Sequence, residues 1–311
     1  MLNRRHLRIK VFQAIYSYFR GAKNDLSIGE RELLSSVNRI HELFVLHASV
    51  FIELRGFAYK RIQERKNKRL PSQEDLNPNL RFVENEVLKA LSNSLSLQKK
   101  VEEYKISWYN NGDVIQKLFK SVEDSDTYGK YMSGESLDLE QQKSFLIKVY
   151  REFIADNEIL QDFFEERSIH WSDDHYFVCG YIVKYLKGFQ SRFFQNYRPP
   201  ELFKDLDDDV EFIKTLYRYT LLNSSAYQDI IMDKAKNWEA DRIAVVDFIL
   251  MKMAVCELVK IPSVPVKVTL NEYIELSKTY STPKSRGFIN GILDKAILSL
   301  SKENKLNNII P

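Results

Sequence analysis

The chain has 311 residues, with 46 Lys plus Arg against 43 Asp plus Glu and a net charge of +3, so no overall basic excess marks a polyanion binder and any charge that matters is local. At 44% hydrophobic and 13% aromatic it can bury a core, which excludes general disorder, and its length suits two domains or one enlarged one. Only 10 Gly and 8 Pro, with two cysteines, Cys179 and Cys256, argue against β-architectures and disulfide frameworks, and favour a mainly helical chain with reduced, buried thiols in the cytoplasm.

Residues 5–20 place Leu7, Val11, Ala14 and Tyr18 on one narrow arc, a buried stripe, with Arg5, Arg8, Phe12 and Tyr16 on another. Although the first residues are basic and then apolar, Arg8, Lys10 and Gln13 interrupt the apolar part and no small-residue cleavage site follows, so this segment reads as mature structure and not as a signal peptide. Gly21 ends it. An amphipathic segment then runs from about Leu26 to Tyr59, as one helix or as two with a break near Gly56. KRIQERKNKR, from Lys60 to Arg69, has six basic residues to one acid and leads into Pro71 and Pro78, which predicts a solvated loop. Further helices are predicted over about 80–104, 111–121, 138–166 and 174–195, separated by polar stretches such as DSDTYGKYMSGES.

A second break falls at Pro199-Pro200, followed by Asp205, Asp207, Asp208, Asp209 and Glu211, acids suited to a helix N-terminus. Beyond it, helices are predicted over about 208–222, 225–235 and 240–259, the last burying Ile243, Val246, Leu250 and Met253. The stretch from Val264 alternates like a strand but runs on into NEYIELSKTY with helical spacing, and Pro265 fits a first helical turn. Thr282-Pro283 reads as an N-cap with proline at the first helical position, before an apolar face of Phe288, Ile289, Ile292, Leu293, Ala296 and Leu300. No segment approaches the roughly 18 to 20 apolar residues of a membrane span, and no membrane partner is expected.

Signatures of catalysis are missing from the sequence. Phosphate loops of the forms G-x-x-x-x-G-K-[ST] and G-x-G-x-x-G are absent, as is the G-x-S-x-G elbow. His170, His175 and Cys179 cluster in sequence, with 175 and 179 one helical turn apart, but a fourth ligand is lacking and the core reading outweighs a metal site. No catalytic residue, metal or cofactor is expected. The first twenty residues, by contrast, hold Arg4, Arg5, Arg8, Lys10 and Arg20 and no acid. Arginine forks grip phosphates, and a neighbouring ring such as Phe12 or Tyr16 can stack on an unpaired base, the pattern of single-stranded RNA recognition. Lys60 to Arg69 is a rival patch, with plain solvated surface the stronger reading.

The run PSVPVKVTLNEYIELSKTYSTPKSRGFINGILDKAI, from Pro262 to Ile297, resembles the signature of the NusB family of transcription antitermination factors. DRIAVVDFILMKMAVCEL at 241–258 resembles the preceding family helix, and RRHLRIKVFQAIYSY at 4–18 the Arg-rich first helix. The resemblance implies an all-α fold, a pair of three-helix bundles, divided here into a discontinuous RNA-binding core of 1–20 and 206–311 and a helical insertion of 21–205. It also implies a non-catalytic adapter. Such a protein binds boxA-like single-stranded RNA of ribosomal RNA leaders together with NusE, a ribosomal small-subunit protein, and acts indirectly on the RNA polymerase elongation complex. Carried over by position, the RNA contacts fall on Arg4, Arg5, Arg8, Gln13 and Tyr16, and on Lys284, Arg286, Phe288 and Asn290, while Asp247 matches a NusE-facing acid. His6 stands where the family is often basic, and Lys284 where it is commonly acidic. The alternatives are a helical protein-interaction scaffold and the RNA-binding domain of a ribosomal RNA cytosine methyltransferase. The latter would need a catalytic domain that this sequence does not contain.

Overall fold

The computed structural model describes residues 1–21, 25–134, 138–168, 171, 173–235 and 243–306. Among these the secondary structure is α-helical with short 3₁₀ and π turns, and no strand forms. In chain order the helices are α1 Arg4–Arg20, α2 Leu26–Lys66, α3 Gln73–Leu76, α4 Glu86–Asn93, α5 Leu95–Glu103, α6 Gly112–Glu123, α7 Asp126–Ser133 and α8 Leu139–Val149. They continue as α9 Glu158–Arg167, α10 His175–Lys187, α11 Leu206–Leu222, α12 Ser224–Lys234, α13 Val245–Lys260, α14 Val266–Tyr280 and α15 Pro283–Lys302. The mainly helical chain expected from the sparse Gly and Pro content, and the all-α class implied by the resemblance, therefore hold.

Local chemistry sets many of the boundaries. Asp205 caps α11 by accepting from the Asp208 amide, with Asp207, Asp208 and Asp209 in the first turn, where the helix dipole favours negative charge. Thr282 caps α15 in the same way, with Pro283 at the first helical position. Pro265 sits at the start of α14, so the alternating stretch beyond it is helix and not strand.

One alternative left open by the sequence is decided, and two sequence expectations need correction. Gly56 does not break α2, because a glycine with open space beside it costs only about 1 kcal/mol in a helix that packing otherwise holds. The expected loop at Lys60 is helical as far as Lys66, since Lys, Arg, Gln and Glu are strong helix formers and Lys60 and Glu64 pair across one turn at 3.8 Å. The polar stretch DSDTYGKYMSGES is not a plain spacer but holds α7, capped by Ser125.

The chain forms two compact units, Met1–Val37 with Leu202–Pro311, and Asn38–Glu201, with α2 passing from the first into the second. In the first unit α13 is the hub, touching α1, α11, α12, α14 and α15, and residues from Ile249 to Leu258 are buried on every side. Val246, expected in the core, is only half-buried. In the second unit, Leu43, Phe44, Leu46, Val50, Phe51 and Leu54 of α2 supply a fully buried stripe, and Tyr131 stacks on Phe145 with ring centroids 3.8 Å apart. No helix among the described residues is long and apolar enough to cross a membrane. Cys179 and Cys256 are free thiols.

Gly29 shows how closely α2 begins against α11. A Cβ there would overlap the Tyr217 hydroxyl, and the Tyr217 ring is fully buried. Gly to Ala in a helix interior ordinarily stabilises by about 0.5–1 kcal/mol. Here Gly29→Ala is expected to destabilise by about 1–3 kcal/mol through overpacking, and Tyr217→Phe in the same chain to restore part of the loss. Thermal melts of the single and double variants check this, and a rise in Tm for Gly29→Ala alone would refute it.

Candidate nucleic-acid interface

Asn3 caps α1, its side chain accepting from the His6 amide at 3.1 Å. The first turn of this helix is basic, which its own dipole disfavours, so compensating charge must come from other helices. It comes from α11, α13 and α14. Arg4 pairs with Asp208, lies 3.5 Å from Asp209, and stacks over the Phe212 ring at 4.1 Å. Arg5 forks onto Glu272, with Nε donating to Oε2 at 2.8 Å and Nη2 to Oε1 at 2.7 Å, yet its side chain is 48% exposed. That fork holds the Arg5 pKa up and the Glu272 pKa down.

Arg8 differs from both. It is 1% exposed and donates from Nε and Nη2 to the two oxygens of Glu257, at 2.8 and 2.5 Å. Glu257, at 0% exposure, also accepts from Thr269 Oγ1 at 3.0 Å and Tyr273 Oη at 2.9 Å. Burial alone would lower the Arg8 pKa, but the hydrogen bonds and charge of Glu257 raise it overall. The buried surface of α1 therefore draws on both arcs: Leu7, Val11 and Ile15 are fully buried, Arg8 and Phe12 are buried too, and Ala14, Tyr16 and Tyr18 are half-buried, while Arg5 stays exposed. The sequence stripe was displaced because α1 packs against both α11 and α13, which covers more than one face.

An open groove of about 600 Å³ lies beside the start of α1, lined by Asn3, Arg4, Arg5, Asp208, Pro265 and Glu272 among others. Further along α1, Gln13 and Tyr16 are half-buried, and Arg20 lies over the Tyr16 ring at 5.6 Å. Phe12 packs on Tyr280 with centroids 4.9 Å apart, which joins this helix to the residues just before the Thr282 cap of α15. At that cap Lys284 and Arg286 are exposed and make no hydrogen bond or ion pair among the described residues. Phe288 is half-buried and lines another open groove with Gly287, Lys295 and Lys302. Asn290, also half-buried, donates to Asp294 at 3.2 Å.

Asp247 is 4% exposed, and its carboxylate accepts from the Ser281 hydroxyl. Lys252, later in α13, donates to Ser224 Oγ at 2.9 Å and Gln228 Oε1 at 3.0 Å. The sequence reading missed Glu257, Glu272 and Phe212. Glu272 and Glu275 stand three apart in the NEYIEL run, a helix-face spacing that could have marked acids turned toward a basic helix.

His175 and Cys179 do meet, with Nε2 and Sγ 3.4 Å apart, and His47 joins them from α2. Their potential ligand atoms lie within 4.8 Å of one another, with no fourth among the described residues; His170 lies outside these. The three side chains already take part in a buried network, His47 Nδ1 meeting Tyr150 Oη at 2.9 Å and His175 Nε2 meeting Ala155 O at 2.7 Å.

Comparison with known proteins fits this helical frame. Residues 184–298 match the family model described as the NusB family. The chain is 43% identical over 105 residues to the transcription antitermination protein NusB of Salinibacter ruber, an alignment covering 33% of this chain and 66% of that protein. It is 34% identical to the NusB protein of Natranaerobius thermophilus over 95 residues, covering 30% and 68%, and 38% identical to that of Desulfatibacillum aliphaticivorans over 113 residues, covering 36% and 75%. No solved structure matches the chain. An all-α protein with this C-terminal half belongs to the NusB family. It is a long variant: one alignment is 36% of this chain and 75% of the relative, which makes this chain about twice as long.

Two predictions test the anchoring of α1. Glu257→Ala leaves the Arg8 charge buried without a partner and is expected to cost about 3–5 kcal/mol, whereas Arg8→Met with Glu257→Leu should recover most of that. Recovery stays incomplete because Thr269 and Tyr273 lose their acceptor; denaturant unfolding of the variants measures it, and equal losses for the single and double variants would refute it. The second concerns acid. Burial, followed by the Arg5 charge, lowers the His6 pKa to about 4 from an ordinary 6.5. A depressed pKa gives stability that is complete above the unfolded value and lost as pH falls through the folded one. Tm is therefore expected to decline from pH 6.5 toward 4, and further as Glu272 protonates. His6→Asn should flatten the upper part of a Tm–pH curve, and an unchanged curve would count against it.

Proposed function

We propose that this protein is a transcription antitermination factor that binds boxA-like single-stranded RNA of ribosomal RNA leaders jointly with NusE, acting in the cytoplasm on the RNA polymerase elongation complex as an adapter that breaks no bond. The observation that carries the reading is the acid-free N-terminal helix, whose Arg5 reaches solvent while Arg8 is held beneath it. The names of the related proteins support it. In this reading the core formed by 1–20 and 206–311 carries the RNA. Arg4 and Arg5 take phosphates, Tyr16 and Gln13 meet an unstacked base, and Lys284, Arg286, Phe288 and Asn290 extend the track at the start of α15. Arg8 acts through Glu257 as a positioning residue. Asp247 likewise positions the turn at Ser281, on the side assigned to NusE.

Because Glu272 already occupies the fork of Arg5, an RNA phosphate has to compete with an internal carboxylate. Glu272→Gln should therefore raise affinity for a boxA-like RNA, and Arg5→Ala should lower it, flattening the plot of log affinity against log salt by about 0.7 per lost contact on a single strand. Fluorescence titrations with and without NusE, beside a scrambled RNA, measure both. Binding that is unselective, indifferent to NusE and untouched by either substitution would overturn the reading in favour of a scaffold.

A further inference from the structure

The patch from Lys60 to Arg69 is left over by this proposal, and in the second unit it lies at the C-terminal end of α2. Basic residues at a helix C-terminus complement the dipole, but that partial charge is only about half a unit, and six cations in ten residues exceed what it can balance. Some are paired: Arg61 with Glu123 at 2.7 Å and Lys68 with Asp75 at 3.2 Å. Arg65 and Arg69 are exposed and make no hydrogen bond or ion pair among the described residues, and Lys60 is 76% exposed with only the 3.8 Å contact to Glu64.

What the sequence did not reveal is an aromatic groove beside this patch. A cavity of about 380 Å³ is bounded by Arg61 and Arg65 of α2, by Asn77 and Asn79 of the loop after α3, and by Phe119 and Tyr128 of α6 and α7. Arg61 lies 5.5 Å from the Phe119 ring centroid. Tyr128 is half-buried, and its hydroxyl makes no hydrogen bond among the described residues. Burial, helped by the Glu123 charge, pushes its pKa up to about 12, so the hydroxyl keeps its proton and can donate. Glu74, exposed at the same groove, makes no hydrogen bond or ion pair among the described residues.

The geometry points to a second single-stranded RNA contact within the insertion, with phosphates on Lys60, Arg65 and Arg69 and one unstacked base in the groove beside Tyr128. The distribution of charge selects this ligand. Arg61 and Arg65 share the groove with Glu74, Asp75 and Glu123, but Arg61 is paired with Glu123 and Asp75 with Lys68, so Arg65 is left to hold a phosphate at the groove and Glu74 to accept from a base amino group, while Lys60 and Arg69 extend the phosphate track. An acidic peptide side chain could also pair with Arg65, but it offers neither a base face to the Tyr128 ring nor an amino group to Glu74. The contact depends on none of the groups assigned to α1.

The test uses the full chain and a U-rich 30-mer RNA without a boxA-like sequence, carrying 4-thiouridine. Photocrosslinking is expected to label peptides from 57–83 and 119–132. Removing three phosphate contacts with Lys60→Ala, Arg65→Ala and Arg69→Ala together should weaken binding at least tenfold at low salt and reduce the log–log salt slope by about 2. These positions are exposed, and circular dichroism checks that the variant is folded. The same loss should appear in an Arg5→Ala background, which separates this contact from that of α1. No crosslink in those peptides, or an unchanged slope in the folded triple variant, overturns the inference. A patch that takes polyglutamate in preference to the RNA would be a protein-docking surface and would equally overturn it.

Discussion

The first unit depends on one buried ion pair. Arg8 of α1 and Glu257 of α13 meet with almost no exposure, and the remaining acceptor capacity of Glu257 is filled by Thr269 and Tyr273 of α14. Burying two charges is costly, and the cost is offset only when geometry is good and the other lone pairs are satisfied. Here both conditions hold, so α1 is fixed in one register with the consecutive helices α13 and α14, far from it in sequence. Neutral packing of α1 would resist rotation less well, because apolar contacts are not directional.

That anchor sorts the arginines of one helix into different tasks. Arg8 spends its fork inward, whereas Arg5, three residues earlier, is oriented by Glu272 but remains half in water. A cation that is held in place but not desolvated loses little conformational freedom when it meets a phosphate. In the proposed reading the internal carboxylate would also limit nonspecific attraction, since only a ligand with several well-placed phosphates would gain more than it displaces. The insertion follows another rule. In the second unit, cations cluster at the end of a long helix and two of them, Arg61 and Arg65, share the adjoining groove with Glu74, Asp75 and Glu123.

Much of the fold was legible because helix ends are local chemistry. Asp205, Thr282 and Pro265 act within one turn of themselves, and that information survives without any tertiary contact. The candidate interface was legible in composition only. Five cations without an acid mark α1, but the same residue type stands at 4, 5 and 8, and nothing local says which guanidinium is buried. A misreading arose where charge was read as loop, as at Lys60, where α2 runs on to Lys66 because Lys, Arg, Gln and Glu are strong helix formers.

The sequence by itself determined the all-α class, the caps and the resemblance to NusB, because these rest on periodicity, on residues within one turn of each other and on a contiguous signature. Only the tertiary structure decided that Arg8 is an anchor and Arg5 a surface group, that Asp247 holds Ser281 and that a basic run borders an aromatic groove. Each of these facts depends on a partner on another structural element, more than thirty residues away along the chain in the case of Asp247 and Ser281. A helical wheel describes one helix in isolation, whereas burial and charge pairing belong to the space between helices.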